Sequence, residues 1–212
     1  MTNELIQDAL ALVSPSSDRT QSNRRTWLKT AVGVGYAAAC LPLSAQTAIR
    51  TSGEGLLCGE VMIDANGFQL PAYRSMPAGQ TQCPVVLVVS EIFGVHEYIA
   101  DVTRRFAKMG YLAIAPEFFT RAGDPNAYGT VAEIQQNIVA KTPDSQVLND
   151  LQAALVWASK NGGDLKKVGV TGFCWGGRIT WLSATLPQVR AGVAWYGRVI
   201  GEKTENSPRH PV

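Results

Sequence analysis

Cys174 lies within Gly172-Phe173-Cys174-Trp175-Gly176-Gly177, between the β-branched run Val168 to Thr171 and the apolar stretch Ile179-Thr180-Trp181-Leu182. Strand, sharp turn and helix in that order make a nucleophile elbow, with cysteine where serine is commoner. Such a turn lifts its central side chain above the sheet. Gly172 and Gly176 flank it because β-carbons there would collide with neighbouring backbone. A helix opening near Gly176 aims its N-terminus at the sulfur, and its dipole favours thiolate over thiol. The Trp175 N–H then faces the place where a carbonyl oxygen becomes negative during acyl transfer. A buried cysteine is more often an inert small hydrophobe. Here the preceding strand, the doubled glycine and the following helix agree, and they favour the elbow.

The elements that must carry this turn are legible along the chain. The 212 residues are 46% hydrophobic with a formal charge of +2, which suits one globular α/β domain with an ample core. That charge, with no basic stripe interleaved with aromatics, excludes a nucleic-acid partner. Glu60 to Asp64, Asn66-Gly67 and Phe68 to Ser75 read as a β-hairpin with a type I′ turn. Pro71 within it argues for an edge strand. Pro84 to Ser90 is a continuous apolar run, a strand buried on both faces of a parallel sheet.

Beyond it, Ile99, Val102, Phe106 and Met109 recur at helical spacing and Gly110 closes the helix. Tyr111 to Ala115 is a short strand ended by Pro116, and a loop from Glu117 to Tyr128 leads to a helix over 130–140. Asp144 to Lys160 is the strongest helix, with Val147, Leu148, Leu151, Ala154, Leu155 and Ala158 on one face. After the elbow, Ala191 to Tyr196 reads as another buried strand. This alternation predicts a doubly wound, mostly parallel α/β sheet with an antiparallel N-terminal hairpin.

Residues 1–45 read as an export signal and 46–58 as a linker, leaving 59–212 as the α/β domain. Asn23-Arg24-Arg25-Thr26-Trp27-Leu28-Lys29 resembles a twin-arginine signal, and the apolar run from Ala31 to Leu43 is too short to span a bilayer comfortably. Leu43-Ser44-Ala45 is a suitable cleavage site. The twin-arginine translocase is then a partner during export and the periplasm the destination; a short leader that stays cytoplasmic is the alternative. Cys40 leaves with the leader, and Cys58 and Cys83 either pair in an oxidising compartment or stay unpaired.

From about Gly59 to Tyr196 the chain resembles the dienelactone hydrolases of the α/β-hydrolase superfamily. The elbow carries the resemblance together with Ser90-Glu91-Ile92-Phe93-Gly94-Val95 at the end of the first parallel strand. It implies an ester or lactone substrate, no cofactor or metal, and Cys174 as the nucleophile that forms an acyl-thioester. Glu91 would take the thiol proton, and the backbone N–H groups of Ile92 and Trp175 would form the oxyanion hole. A free thiol, with a pKa of about 8.5, needs such a base at neutral pH. A carboxylate whose pKa is raised by burial serves as one. The alternative for Glu91 is to cap the next helix. His96, at the start of that helix, reads as a cap rather than a catalytic group. Tyr196 either lines the pocket or packs. Arg121 and Arg178 are possible carboxylate clamps or solvated side chains.

The family places an acid and then a histidine after the nucleophile. Beyond Cys174 there is no aspartate, and only Glu202, Glu205 and His210 remain. The sequence therefore suggests a chain lacking the last strands and helix of the fold, inactive on its own as a hydrolase. A catalytically inactive remnant or a binding protein is the competing expectation.

Overall fold

The computed structural model describes residues 50–198. The leader with Cys40 and the tail with Glu202, Glu205 and His210 lie outside the described residues. Residues 128–133 group with a separate unit. Within it, Glu133 Oε2 accepts the Thr130 N–H at 3.0 Å while the Glu133 N–H donates to Thr130 Oγ1 at 3.2 Å. This reciprocal capping box opens helix α2 (Val131–Asn137).

The larger unit is a six-stranded sheet. Strands β1 (Leu56–Ala65) and β2 (Phe68–Pro77) form the hairpin, longer at both ends than the alternation suggested. Asn66 and Gly67 take φ 58° and 87°, the positive pair a type I′ turn requires. The Asp64 carboxylate accepts the Gly67 N–H at 2.7 Å. Strands β3 (Cys83–Val89), β4 (Leu112–Pro116), β5 (Gly163–Phe173) and β6 (Val189–Trp195) complete the order β1-β2-β4-β3-β5-β6. The last four run parallel; β1 and β2 are antiparallel to their neighbours.

Pro71 does not mark an edge, since β2 lies between β1 and β4. Its carbonyl accepts the Glu117 N–H at 2.8 Å, so its nitrogen faces the same side, just past the end of β4. No ladder bond is lost there. The Glu117 carbonyl, which another residue at 71 could have reached, accepts the Thr120 hydroxyl at 3.0 Å instead.

Three crossovers wind the parallel part: β3 to β4 through α1 (Glu97–Lys108), β4 to β5 through α3 (Asp144–Lys160), and β5 to β6 through α4 (Trp175–Ser183). The first moves toward β1 and the others away from it, so right-handed crossovers put α1 on one face and α3 and α4 on the other. Val86 and Val88 meet Ile99, Val102 and Ala115 beneath α1. On the opposite face a β-carbon at Gly163 would lie 2.7 Å from Val85 Cγ2 and 2.9 Å from the Ala158 carbonyl, which sets α3 close against the sheet. Each fully buried aliphatic side chain of this kind contributes about 1.5–3 kcal/mol.

Two expectations change. Met109 is 63% exposed, because it stands at the C-cap of α1, past the last turn that faces the sheet. In its place α1 buries Asp101, Thr103 and Arg104. The Thr103 and Ser75 hydroxyls meet at 2.8 Å, and Arg104 reaches Glu97 at 2.6 Å and the Tyr73 hydroxyl at 3.1 Å. Strand β6 is not buried on both faces. Among the described residues it is the outer strand beyond β5, and Val193 and Trp195 are each about half exposed. No helix among the described residues is long and apolar enough to cross a membrane.

Candidate active site

The crossover leaving β3 and the one leaving β5 diverge, which opens a crevice between the carboxyl ends of these adjacent strands, the usual ligand position in a doubly wound sheet. Val89 pairs in register with Gly172, so Glu91 and Cys174, each two residues further on, leave the sheet at the same level.

Cys174 adopts φ 55° and ψ −114° at the N-cap of α4. For a residue with a β-carbon this is a costly conformation, of order 1–3 kcal/mol, and surrounding structure must hold it. Its N–H donates to the Trp195 carbonyl at 2.9 Å, and its own carbonyl accepts the Arg178 N–H at 3.2 Å. A β-carbon at Gly172 would stand 2.2 Å from the Gly176 carbonyl oxygen, and one at Gly176 would stand 2.3 Å from that of Val89. These contacts press the first turn of α4 onto the ends of β3 and β5. A third close approach escaped the sequence: a β-carbon at Gly177 would meet the Trp195 carbonyl oxygen at 2.5 Å. Only the folded position of β6 reveals it.

Cys174 is half-buried and stands at the positive N-terminal end of α4. Cys58 and Cys83 are free thiols; burial pushes the Cys83 thiol up. Ile92 is fully buried. The Trp175 ring packs between Phe118 and Phe119, with centroids 6.0 and 4.7 Å away.

Glu91 is 7% exposed and does not cap α1. Its Oε2 meets His96 Nε2 at 3.2 Å. His96 occupies the N-cap position of α1, yet its side chain makes no capping bond. The ring turns instead toward Glu91 and stacks on Tyr98 at 6.3 Å. The sequence also gave no sign that Glu117 supports this loop. Its Oε2 accepts the Val95 N–H at 2.6 Å, and burial pushes its carboxyl above the usual range despite that bond and one from the Phe119 N–H. A β-carbon at Gly94 would lie 2.6 Å from the same oxygen.

The two arginines are both engaged by carboxylates of the fold. Arg121 grips Asp150 through two bonds of 2.7 and 3.0 Å and lies 3.9 Å over the Phe68 ring. Arg178 grips Asp144 at 2.6 and 2.7 Å, a pairing that holds its guanidinium pKa up. Both pairs tie neighbouring elements to α3. Tyr196 follows β6 at φ 42° and is 56% exposed, between Trp195 and Gly197, whose backbones both press on Gly177. Among the described residues no group of His, Cys, Asp and Glu is arranged to hold a metal ion.

Known proteins resemble this chain in sequence and fold. A "Putative carboxymethylenebutenolidase" of Methylorubrum extorquens is 49% identical over 196 residues, 92% of this chain and 67% of the relative. A protein of the same name from Escherichia coli K12 is 51% identical over 180 residues, 84% of this chain and 66% of the relative. The crystal structure of a "Putative Dienelactone Hydrolase" from Klebsiella pneumoniae superposes with a TM-score of 0.68 at 51% identity, covering 73% of this chain and 65% of that one. The chain thus spans about two thirds of the length of these relatives. The dienelactone hydrolase family model matches residues 70–211. On the doubly wound sheet, the elbow and these matches together, the chain belongs to the dienelactone hydrolase family.

Proposed function

We propose that this chain carries the nucleophile of a carboxylic ester or lactone hydrolase. Cys174 attacks the substrate carbonyl, Glu91 accepts the thiol proton, and the N–H groups of Ile92 and Trp175 hold the oxyanion while the acyl-thioester forms. Tyr196 supplies one wall of the substrate approach. The observation that carries this reading is the backbone of Cys174, held at φ 55° between glycines that leave no room for a side chain. Strain of that kind is retained where the surroundings enforce it, and functional sites are where it clusters. The name shared by the curated relatives makes a carboxymethylenebutenolide the first lactone to test.

The acylation step can be tested apart from turnover. On mixing with p-nitrophenyl acetate, mass spectrometry should find one acetyl group, on the peptide containing Cys174, and none there in Cys174→Ala. Labelling of Cys58 or Cys83 in preference to Cys174 would overturn the assignment. The substrate meets the protein in the periplasm on this reading, after export by the twin-arginine translocase. Arg24→Lys with Arg25→Lys should leave the protein in the cytoplasm, and its recovery from the periplasm would refute the export route.

A further inference from the structure

We propose that His96 is a positioning residue for the same reaction, holding Glu91 through their 3.2 Å contact and passing the thiol proton onward from that carboxylate to water. The inference rests on the nucleophile reading above and extends it to how the base is reset. Glu91 is nearly enclosed, at 7% exposed, so a proton taken from Cys174 needs a way out. The His96 side chain is 40% exposed and is the group in contact with that carboxylate that also reaches solvent. Its place at a helix start is not spent on capping.

The loop that carries His96 is fixed from behind. Glu117 holds the Val95 N–H at 2.6 Å and leaves room only for glycine at 94, so the imidazole is aimed by a rigid turn. The other oxygen of Glu117, Oε1, is buried without a hydrogen-bond partner, and an imidazolium at position 96 acts on this carboxylate as a favourable charge. The titratable groups facing His96 are Glu91 from the end of β3, Glu117 from the end of β4 and Tyr98 from α1; Asp124 acts on Glu117 from the loop beyond. A proton on the ring is therefore met by two carboxylates.

The transfer balances without a further reagent. The Cys174 S–H bond breaks as a Glu91 O–H bond forms. That O–H bond breaks as the His96 Nε2–H bond forms on a ring that began as the Nδ1–H tautomer. The imidazolium releases its Nδ1 proton to water, and proton exchange with water at the two nitrogens returns the ring to its starting tautomer. Glu91 ends as the carboxylate it began as, and the sulfur is left anionic.

The test is the rate of alkylation of Cys174 by iodoacetamide in the full chain, followed by peptide mass between about pH 5 and 10, with Cys58 as internal reference. Wild type should show a rate that rises to its plateau well below the ordinary thiol value of about 8.5. In His96→Gln, which keeps a hydrogen-bond donor but cannot titrate, the midpoint should move at least one unit toward the ordinary thiol value of about 8.5. The rate at the high-pH limit should stay within twofold. In a Glu91→Gln background, His96→Gln should shift the midpoint no further. An unchanged midpoint in His96→Gln, a uniform loss of rate at every pH, or an equal shift in the Glu91→Gln background would each overturn the role of His96. Cys174 reacting no faster than Cys58 in wild type would sink the nucleophile reading, and this one with it.

Discussion

Two turns in this protein place a residue with a side chain at nearly the same φ: Asn66 at 58° in the hairpin and Cys174 at 55° in the elbow. The causes differ. Asn66 adopts the left-handed region readily, is followed by a glycine with nothing within 4 Å, and needs only its own sequence and the strands beside it. Cys174 gains nothing from its residue type. It is held by backbone from β3, α4 and β6, which touch one another at distances that exclude β-carbons. One turn is chosen locally; the other is imposed by the fold, and the imposed one carries the proposed nucleophile.

That contrast can be broken at either turn. Gly172→Ala should do most damage, about 3 kcal/mol or more in urea unfolding, because the clashing atom is the Gly176 carbonyl and cannot move aside. Rapid alkylation of Cys174 should vanish with it; an unaltered stability would mean that the elbow is not over-determined. Arg121→Met should cost about 2–3 kcal/mol by leaving Asp150 buried without its cation. Alkylation of Cys174 should be unaffected, which separates damage to the fold from damage to the site.

Asp101→Asn should cost about 1.5 kcal/mol near pH 7. Burial alone would raise the pKa of Asp101, but the Thr51 N–H and the Arg105 guanidinium outweigh it and hold the carboxyl below 3.8. The stabilisation is therefore complete above that value and is lost as the pH falls through the lower, folded-state pKa. The gap in Tm between wild type and variant should close in that range, and a gap that persists at pH 2 would refute the ion-pair account. Smallest is Gly67→Ala, about 1 kcal/mol from torsion alone, with Cys174 chemistry intact.

The sequence was most legible where one segment settles its own conformation. The hairpin turn, the α3 boundaries at Asp144 and Lys160, and the clash of Gly172 with the Gly176 carbonyl all follow from short-range pattern. What stayed hidden depends on partners distant along the chain. The burial of Thr103 and Arg104 depends on β2, which supplies Ser75 and Tyr73. Glu117 reads as a loop residue until Val95 and Gly94 arrive beneath it. His96 was legible as a helix start, but nothing in its neighbours told that the ring would leave the helix terminus for Glu91. Arg121 and Arg178 looked available because Asp150 and Asp144 could not be paired with them from spacing alone.

The bond from the Cys174 N–H to the Trp195 carbonyl has a bearing on when the elbow closes. A chain made from its N-terminus can pair β3 with β5 before β6 has left the ribosome. Until Trp195 and Gly197 arrive, the contacts of Gly172 and Gly176 act alone, and the elbow lacks the strap that the Cys174 N–H and Gly177 make with the end of β6. The elbow is thus completed only when a strand made after it has docked, so its geometry is a late product of folding.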